Sequence, residues 1–301
     1  MSSLRLALAT LPVLLAVAVP APVDAQDADY AVDVAKWRTQ REERLKADGG
    51  WLTVTGLFWL HEGANPFGSA PTNEITLPAG APPRAGVFEL RQSKVVVRLQ
   101  PGVAGSVGGQ AVTAMRPLAD DGGGSPDVLT LGRTTMHVIA RGGRYGIRLK
   151  DLDSASRKQF KGLTWYPVDP AYRVTAKFVP YAPPRPIAVP NILGEIEEMR
   201  SPGYAVFTLD GKEVKLEPVL EAADARELFF IFRDLTAGKE TYPGGRFLYS
   251  ALPQNGTVVL DFNKAYNPPC AFTRYATCPL PPKGNRLEAR IDAGEKTYGD
   301  H

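Results

Sequence analysis

Glycine and proline supply 29 and 27 of the 301 residues, and after residue 50 they cut the chain into short segments. Both residues oppose helix interiors, and short alternating apolar runs between turn formers are the pattern of half-buried strands. The bulk of the chain is therefore expected to be β. The exception precedes residue 50. Tyr30, Val34, Trp37, Arg41 and Leu45 recur at spacings of three and four with charge between them. This predicts an amphipathic helix within residues 26–50, ended by Asp48-Gly49-Gly50.

Trp51 to Leu60, Val87 to Leu90, Val95 to Leu99, Ala111 to Met115, Val128 to Leu131, Thr135 to Ala140 and Arg144 to Leu149 read as strands of a first β unit, residues 51–152. Asp121-Gly122-Gly123-Gly124 reads as a flexible hairpin tip. In the last strand Tyr145, Ile147 and Leu149 face one way, and Arg144, Arg148 and Lys150 the other. An apolar-poor stretch over 151–162 marks the boundary. In the second unit, 163–298, the residues Tyr172, Val174, Ala176 and Phe178 alternate with Arg173, Thr175 and Lys177. A proline-rich connector covers 180–190. Further strands are expected at Tyr204 to Leu209, Val214 to Val219, Glu227 to Arg233, Arg246 to Tyr249, Val258 to Phe262 and Leu287 to Ile291. Asp210-Gly211 supplies a hairpin turn. Leu228-Phe229-Phe230-Ile231-Phe232 is apolar on both faces and reads as a central strand.

Arg5, the 14-residue apolar run Leu6 to Val19 and the small residues at Val23-Asp24-Ala25 read as an export signal over residues 1–25. Removing them deletes Arg5 and Asp24, so the net charge stays at +3. So mild and dispersed an excess argues against nucleic acid as a partner. No later apolar run reaches transmembrane length, so the processed chain is expected to be exported and soluble, periplasmic or extracellular. Cys270 and Cys278, with seven residues between them, form either a disulfide or a reactive thiol pair. No metal or other cofactor is expected, since His61, His137 and His301 show no ligand spacing.

Several segments together resemble the bacterial and archaeal domain-of-unknown-function 1684 family. They are Trp59-Leu60-His61-Glu62-Gly63 with Gly68-Ser69, Phe230-Ile231-Phe232-Arg233-Asp234 with Thr236, Tyr242 and Gly244-Gly245-Arg246, and the stretch Asp261 to Glu295. The likeness runs from about Trp37 to Lys296, with Pro243 standing where the family usually has glycine. The resemblance implies homology and no activity. Residues 57–150 also resemble a degenerate forkhead-associated β-sandwich, through Glu62-Gly63, Gly68-Ser69, Asn73 to Leu77, Gly86-Val87-Phe88, Gly108 to Val112 and Leu131-Gly132. Such domains bind phosphothreonine, yet Ser69 stands where they carry arginine, and Pro83, Arg84 and Gly86 where they carry serine and histidine. The likeness therefore implies the shape without that binding. The fold expected is mainly β: an N-terminal helix, a forkhead-associated-like β-sandwich and a C-terminal antiparallel β-barrel or sandwich.

The polar set of the second unit comprises Arg233, Asp234, Tyr242, Arg246, Asp261, Asn263, Tyr266, Asn267 and Tyr275. Placed at strand ends, it suits either a small polar ligand or envelope component at the mouth of the barrel, or a buried network pinning the proline-rich loops. The competing reading is a hydrolytic or thiol-dependent enzyme using Cys270 or Asp261. A third is a scaffold that docks on another envelope protein through the first β unit.

Overall fold

The computed structural model describes residues 25–299, so the expected export signal lies outside the described residues except for Ala25. Helix α1 (Ala25–Lys46) buries Val34, Arg41 and Leu45 along the face that the periodicity predicts. Among the described residues no helix is long and apolar enough to cross a membrane.

The first β unit contains β1 (Val54–Trp59), β2 (Gly63–Gly68), β3 (Ile75–Thr76), β4 (Gly86–Arg91), β5 (Lys94–Leu99), β6 (Ser106–Val107), β7 (Gln110–Ala111), β8 (Arg116–Leu118), β9 (Val128–Leu131), β10 (Thr134–Arg141) and β11 (Arg144–Asp151). They form two sheets, ordered β1-β11-β10-β9-β6-β7 and β3-β2-β4-β5-β8. Phe67, Phe88, Val97, Leu129, Val138 and Ile147 are fully buried in the common core of this sandwich. The run Ala111 to Met115 is not one strand but the end of β7 and an approach to β8. Asp121 is not a loose tip either. Its carboxylate accepts the Ala140 amide at 3.0 Å and both Arg141 terminal nitrogens at 2.8 Å.

The second unit contains β12 (Arg173–Pro190), β13 (Ile196–Leu209), β14 (Lys212–Leu216), β15 (Glu227–Phe232), β16 (Arg246–Ala251) and β17 (Thr257–Asp261). Antiparallel pairing gives the order β14-β13-β12-β17, beside the pair β15-β16. The bridges Arg200–Leu220 and Val219–Phe229 carry the curvature from β13 to β15, making a half-barrel. The proline-rich segment 180–190 is not a connector but the outer half of β12, paired with β13 from Arg185 to Pro190. Only residues 173–177 of β12 pair with β17, so the outer arm has a free edge where a missing proline N–H costs no ladder bond.

β15 is apolar on both faces because each face meets a different core. Leu228, Phe230 and Phe232 fill the half-barrel with Phe207, Leu216 and Leu260. Phe229 and Ile231 point outward into a second cluster with Val189, Phe247, Ala276 and Cys278. In the segment Leu287 to Ile291 the residues Leu287, Ala289 and Ile291 are buried, but it forms no strand. Its amide and carbonyl at Ile291 bond instead to Asp234 and Arg246.

The two β units keep separate cores and meet along a polar seam. Arg148 on β11 was expected to face away from the sandwich core, and it does, yet it is only 5 % exposed because the second unit covers it. Arg141 and Arg148 both donate to Thr277 Oγ1, at 3.2 and 3.3 Å, and Thr273 Oγ1 donates to the Val54 carbonyl at 3.3 Å. Leu45, Leu52, Ala271 and Phe272 cluster where α1 ends against the second unit. Leu45→Ala is expected to cost about 2–5 kcal/mol through the lost apolar contact and residual cavity. A urea titration followed by tryptophan fluorescence measures it.

Candidate functional site

Residues 261–267 of the Asp261 to Glu295 stretch lie beneath α1, which supplies several of their partners. Tyr30 Oη donates to Asp261 Oδ1 at 2.6 Å and accepts from Asn263 Nδ2 at 2.9 Å. Asn263 also donates to the Asp169 carbonyl at 2.7 Å and accepts its amide at 3.0 Å. Two turns along α1, Trp37 packs edge-on against Trp165, with ring centres 5.8 Å apart, and 6.2 Å from Tyr266. One turn further, Arg41 lies 4.5 Å above the Tyr266 ring and donates to the Asn267 carbonyl at 2.9 Å. Its Nε is 3.5 Å from a carboxylate oxygen of Glu295, which is wholly buried. Asn267 completes the cluster by donating from its side chain to Glu295 at 2.8 Å and to the Lys296 carbonyl at 2.7 Å. Burial pushes the Glu295 carboxyl up to about 7, against the opposing pull of Arg41 and the Asn267 donors.

Arg246 and Asp234 form a latch inside the half-barrel. Arg246 Nη2 donates to Asp234 Oδ1 at 3.2 Å and to the Ile291 carbonyl at 3.0 Å, while Nη1 donates to the Ala293 carbonyl. Asp234 accepts in addition the Ile291 amide at 2.8 Å and the Thr236 hydroxyl at 2.9 Å. With both side chains 1 % exposed, the pair holds backbone and has no face for a ligand. Arg233 is exposed, and its backbone pairs with Asn285 and Leu287. Tyr242 packs on the Leu45–Phe272 cluster, and burial pushes its hydroxyl up to about 12. Tyr275 is half-buried and accepts from Arg274 at 3.0 Å.

Of the nine polar residues singled out, Tyr266 alone lines the larger open cleft in this region. That cleft, of about 490 Å³, lies between α1 and β16. Trp37, Tyr249 and Tyr266 form its aromatic wall, Arg41, Arg44 and Lys264 bring cations to it, and Glu227 stands at the rim. The Tyr249 and Tyr266 rings are 14° from parallel with centres 6.4 Å apart, and Phe229 stacks behind Tyr249 at 4.8 Å. Burial pushes the Tyr266 hydroxyl up to about 12 and that of Tyr249 upward as well, so both are neutral at pH 7. Lys264 also sits 3.3 Å from Asp261 and lines a smaller cavity of about 290 Å³ with Tyr30 and Arg173. Sequence reasoning missed Trp37, Arg41, Arg44, Tyr249 and Lys264 as lining residues. The one available signal was that Trp37 and Arg41 share the buried face of α1.

Cys270 and Cys278 stand on the seam between the units. Both are free thiols, Cys270 half-buried and Cys278 buried. The Cys270 amide donates to Cys278 Sγ at 3.1 Å. Arg148 stands across the seam, over the Trp51 ring at 5.1 Å, with a buried Nε that has no hydrogen-bond partner. Burial lowers its guanidinium to about 10. In the first β unit, the Ser69 hydroxyl is committed to the Ala81 carbonyl at 2.6 Å, and Arg84 is exposed. His61 is likewise exposed and 2.8 Å from Glu74.

Arg246→Met is expected to cost about 3–5 kcal/mol, since it strands the buried Asp234 carboxylate. Adding Asp234→Asn should recover part of that loss in chemical denaturation. His137 is held neutral, its imidazole lowered from 6.5 to about 4 by burial and then by Lys150 and Arg148. Between those values the unfolded chain takes up a proton that the native chain refuses. The stability His137 contributes is therefore complete above pH 6.5 and lost as pH falls towards 4. Urea midpoints across that range should show a shallower acid loss in His137→Gln.

A family model described as a protein of unknown function (DUF1684) matches residues 158–296. The chain is similar to an uncharacterized protein of Haloarcula marismortui solved by solution NMR. The two share 36% identity over 48% of this chain and 81% of that one, with a TM-score of 0.41. It bears a weak likeness to the forkhead-associated domain of FhaA, at 19% identity over 31% of this chain and 97% of that one, TM-score 0.23. A forkhead-associated domain studied for phosphothreonine-dependent interactions gives 19%, 31%, 92% and 0.23 in the same order. No curated protein matches. The family match starts after the Trp59-Leu60-His61-Glu62-Gly63 segment, so it is carried by the half-barrel and the stretch beneath α1. Through residues 158–296 the chain belongs to the DUF1684 family of proteins of unknown function.

Proposed function

We propose that the protein is exported and binds a small acidic carbohydrate of the cell envelope in the cleft between α1 and β16. The observation that carries this reading is the cleft's pairing of stacked aromatic rings with cations on the same wall. Aromatic faces pack against sugar C–H surfaces, and guanidinium and ammonium groups recognise a carboxylate. The size also suits, since small-ligand sites generally measure about 300–1,000 Å³. Other clefts are poorer in this chemistry: the one between Pro78 and Thr134 is lined largely by prolines, glycines and alanines. Export is supported by the apolar run Leu6 to Val19 and the small residues that follow it.

Calorimetric titration of uronate oligosaccharides against matched neutral ones tests the binding. Uronates are expected to bind preferentially, and Arg44→Ala or Lys264→Ala to weaken them about tenfold, roughly 1.4 kcal/mol. Equal binding of neutral and acidic sugars, or affinity unchanged in both variants, would remove the reading. N-terminal sequencing of the protein from an envelope fraction tests export, and an intact Met1 there would count against it.

The hydrolytic reading of Asp261 gains no support from its surroundings, since Tyr30 and Lys264 already occupy the carboxylate. The thiol reading of Cys270 has a specific observation in its favour, the facing Arg148.

A further inference from the structure

We infer that Cys270 and Cys278 form a dithiol site for thiol–disulfide exchange with small-molecule disulfides, Cys270 attacking and Cys278 resolving. The site is separate from the carbohydrate cleft and does not depend on it. Three observations converge. The backbone brings the sulfurs together: the 3₁₀ turn Pro269–Ala271 aims the Cys270 amide at Cys278 Sγ, 3.1 Å away. The two environments differ, with Cys270 half-buried and reachable and Cys278 only 5 % exposed, packed among Phe229, Ile231 and Phe247. Finally, Arg148 on the opposite β unit donates to Thr277, the residue before Cys278, at 3.3 Å. It is 5 % exposed, and among the described residues its Nε has no hydrogen-bond partner, no carboxylate forms a salt bridge with it, and Thr277, inside the same loop, takes its only side-chain hydrogen bond.

A buried guanidinium that no carboxylate hydrogen-bonds lowers the cost of a nearby anion, and beyond the Asp121 charge, which Arg141 already pairs, a thiolate is the anion available here. The acidities fall in the matching order. The hydrogen bond from Cys278, a further backbone-linked hydrogen bond between the pair, and Arg148 hold the Cys270 thiol below its ordinary value. Burial pushes the Cys278 thiol up.

The exchange balances as follows. Cys270 gives its proton to solvent, its thiolate attacks one sulfur of R–S–S–R, the S–S bond breaks, and one RS⁻ leaves and takes a proton from solvent. Cys278 then gives its proton to solvent and attacks Cys270 Sγ, expelling the second RS⁻, which is protonated in turn. The protein loses two electrons and two protons, and the external disulfide becomes two thiols.

The test uses the reduced, purified full chain and cystamine as the probe, with acid quenching, alkylation and mass spectrometry. Wild type should finish as the Cys270–Cys278 disulfide. Cys278→Ser should stop as a mixed disulfide on Cys270, and Cys270→Ser should react at least about tenfold more slowly. Cys270 in the native protein should also outpace the same thiol in urea-unfolded protein, a comparison that needs no variant to fold. Arg148→Met, checked for native circular dichroism, should slow capture of Cys270. The inference fails if Cys270→Ser is captured as fast as Cys278→Ser. It also fails if wild type carries two separate mixed disulfides, or if native Cys270 is no faster than unfolded.

Discussion

The buried union of Arg41, Glu295 and Asn267 holds the second unit in its observed form. It ties a charged N-terminal helix to the last segment of the half-barrel, and no continuous apolar stripe on α1 would do so instead. Glu295 is wholly buried and Arg41 almost so. Desolvating both costs several kcal/mol per ion, and the Coulomb attraction offsets this only where further hydrogen bonds complete the site. Here Asn267 and its carbonyl supply part of them, with the Tyr266 ring beneath the guanidinium, while Arg41 Nε and Asn267 Oδ1 have no hydrogen-bond partner among the described residues and burial still raises the Glu295 carboxyl. An apolar pair of equal size would hold the helix as firmly but at any register. The charged pair fixes the register, and with it the places of Tyr30 over Asp261 and of Trp37 and Arg44 at the cleft.

A second constraint comes from strands that face two environments. β15 is buried on one face in the half-barrel and on the other in the cluster that contains Cys278. β11 divides differently, with Ile147 and Leu149 in the sandwich core and Arg148 under the second unit. A lone β-sandwich would leave Arg148 in water. The seam instead covers it and gives it Thr277, with the Trp51 ring of its own unit beneath, so its charge is felt by the cysteine pair of the other unit.

Much of the fold was legible in the residues. The period of Tyr30, Val34, Trp37, Arg41 and Leu45 marked α1, and strict alternation marked β10, β11 and the inner half of β12. Asp210 and Gly211 take the positive φ values that a tight hairpin turn needs. The misreadings share a cause. Pro180 to Pro190 reads as a connector because proline opposes a paired strand, and it became one only because the outer arm of β12 keeps a free edge. Leu287 to Ile291 alternates like a strand, yet it bonds to the backbone only at Arg233 and Leu235 before Arg246 and Asp234 take the Ile291 groups. Asp121 among glycines reads as a tip until Arg141 closes on it.

By itself, the sequence determined that the chain is mostly β behind one amphipathic helix, and it singled out the Asp261 to Glu295 stretch for its density of polar side chains. Periodicity and turn chemistry are local, so they survive in one dimension. Only the tertiary structure decided which polar groups are spent and which remain available. Asp234, Arg246, Asn263 and Asn267 are consumed inside, because buried backbone and charge must find partners. Trp37, Arg44 and Tyr249 come together from elements some 200 residues apart, and Arg148 meets Thr277 across two units. Such meetings depend on side chains distant in sequence arriving at one place, and no local pattern encodes them.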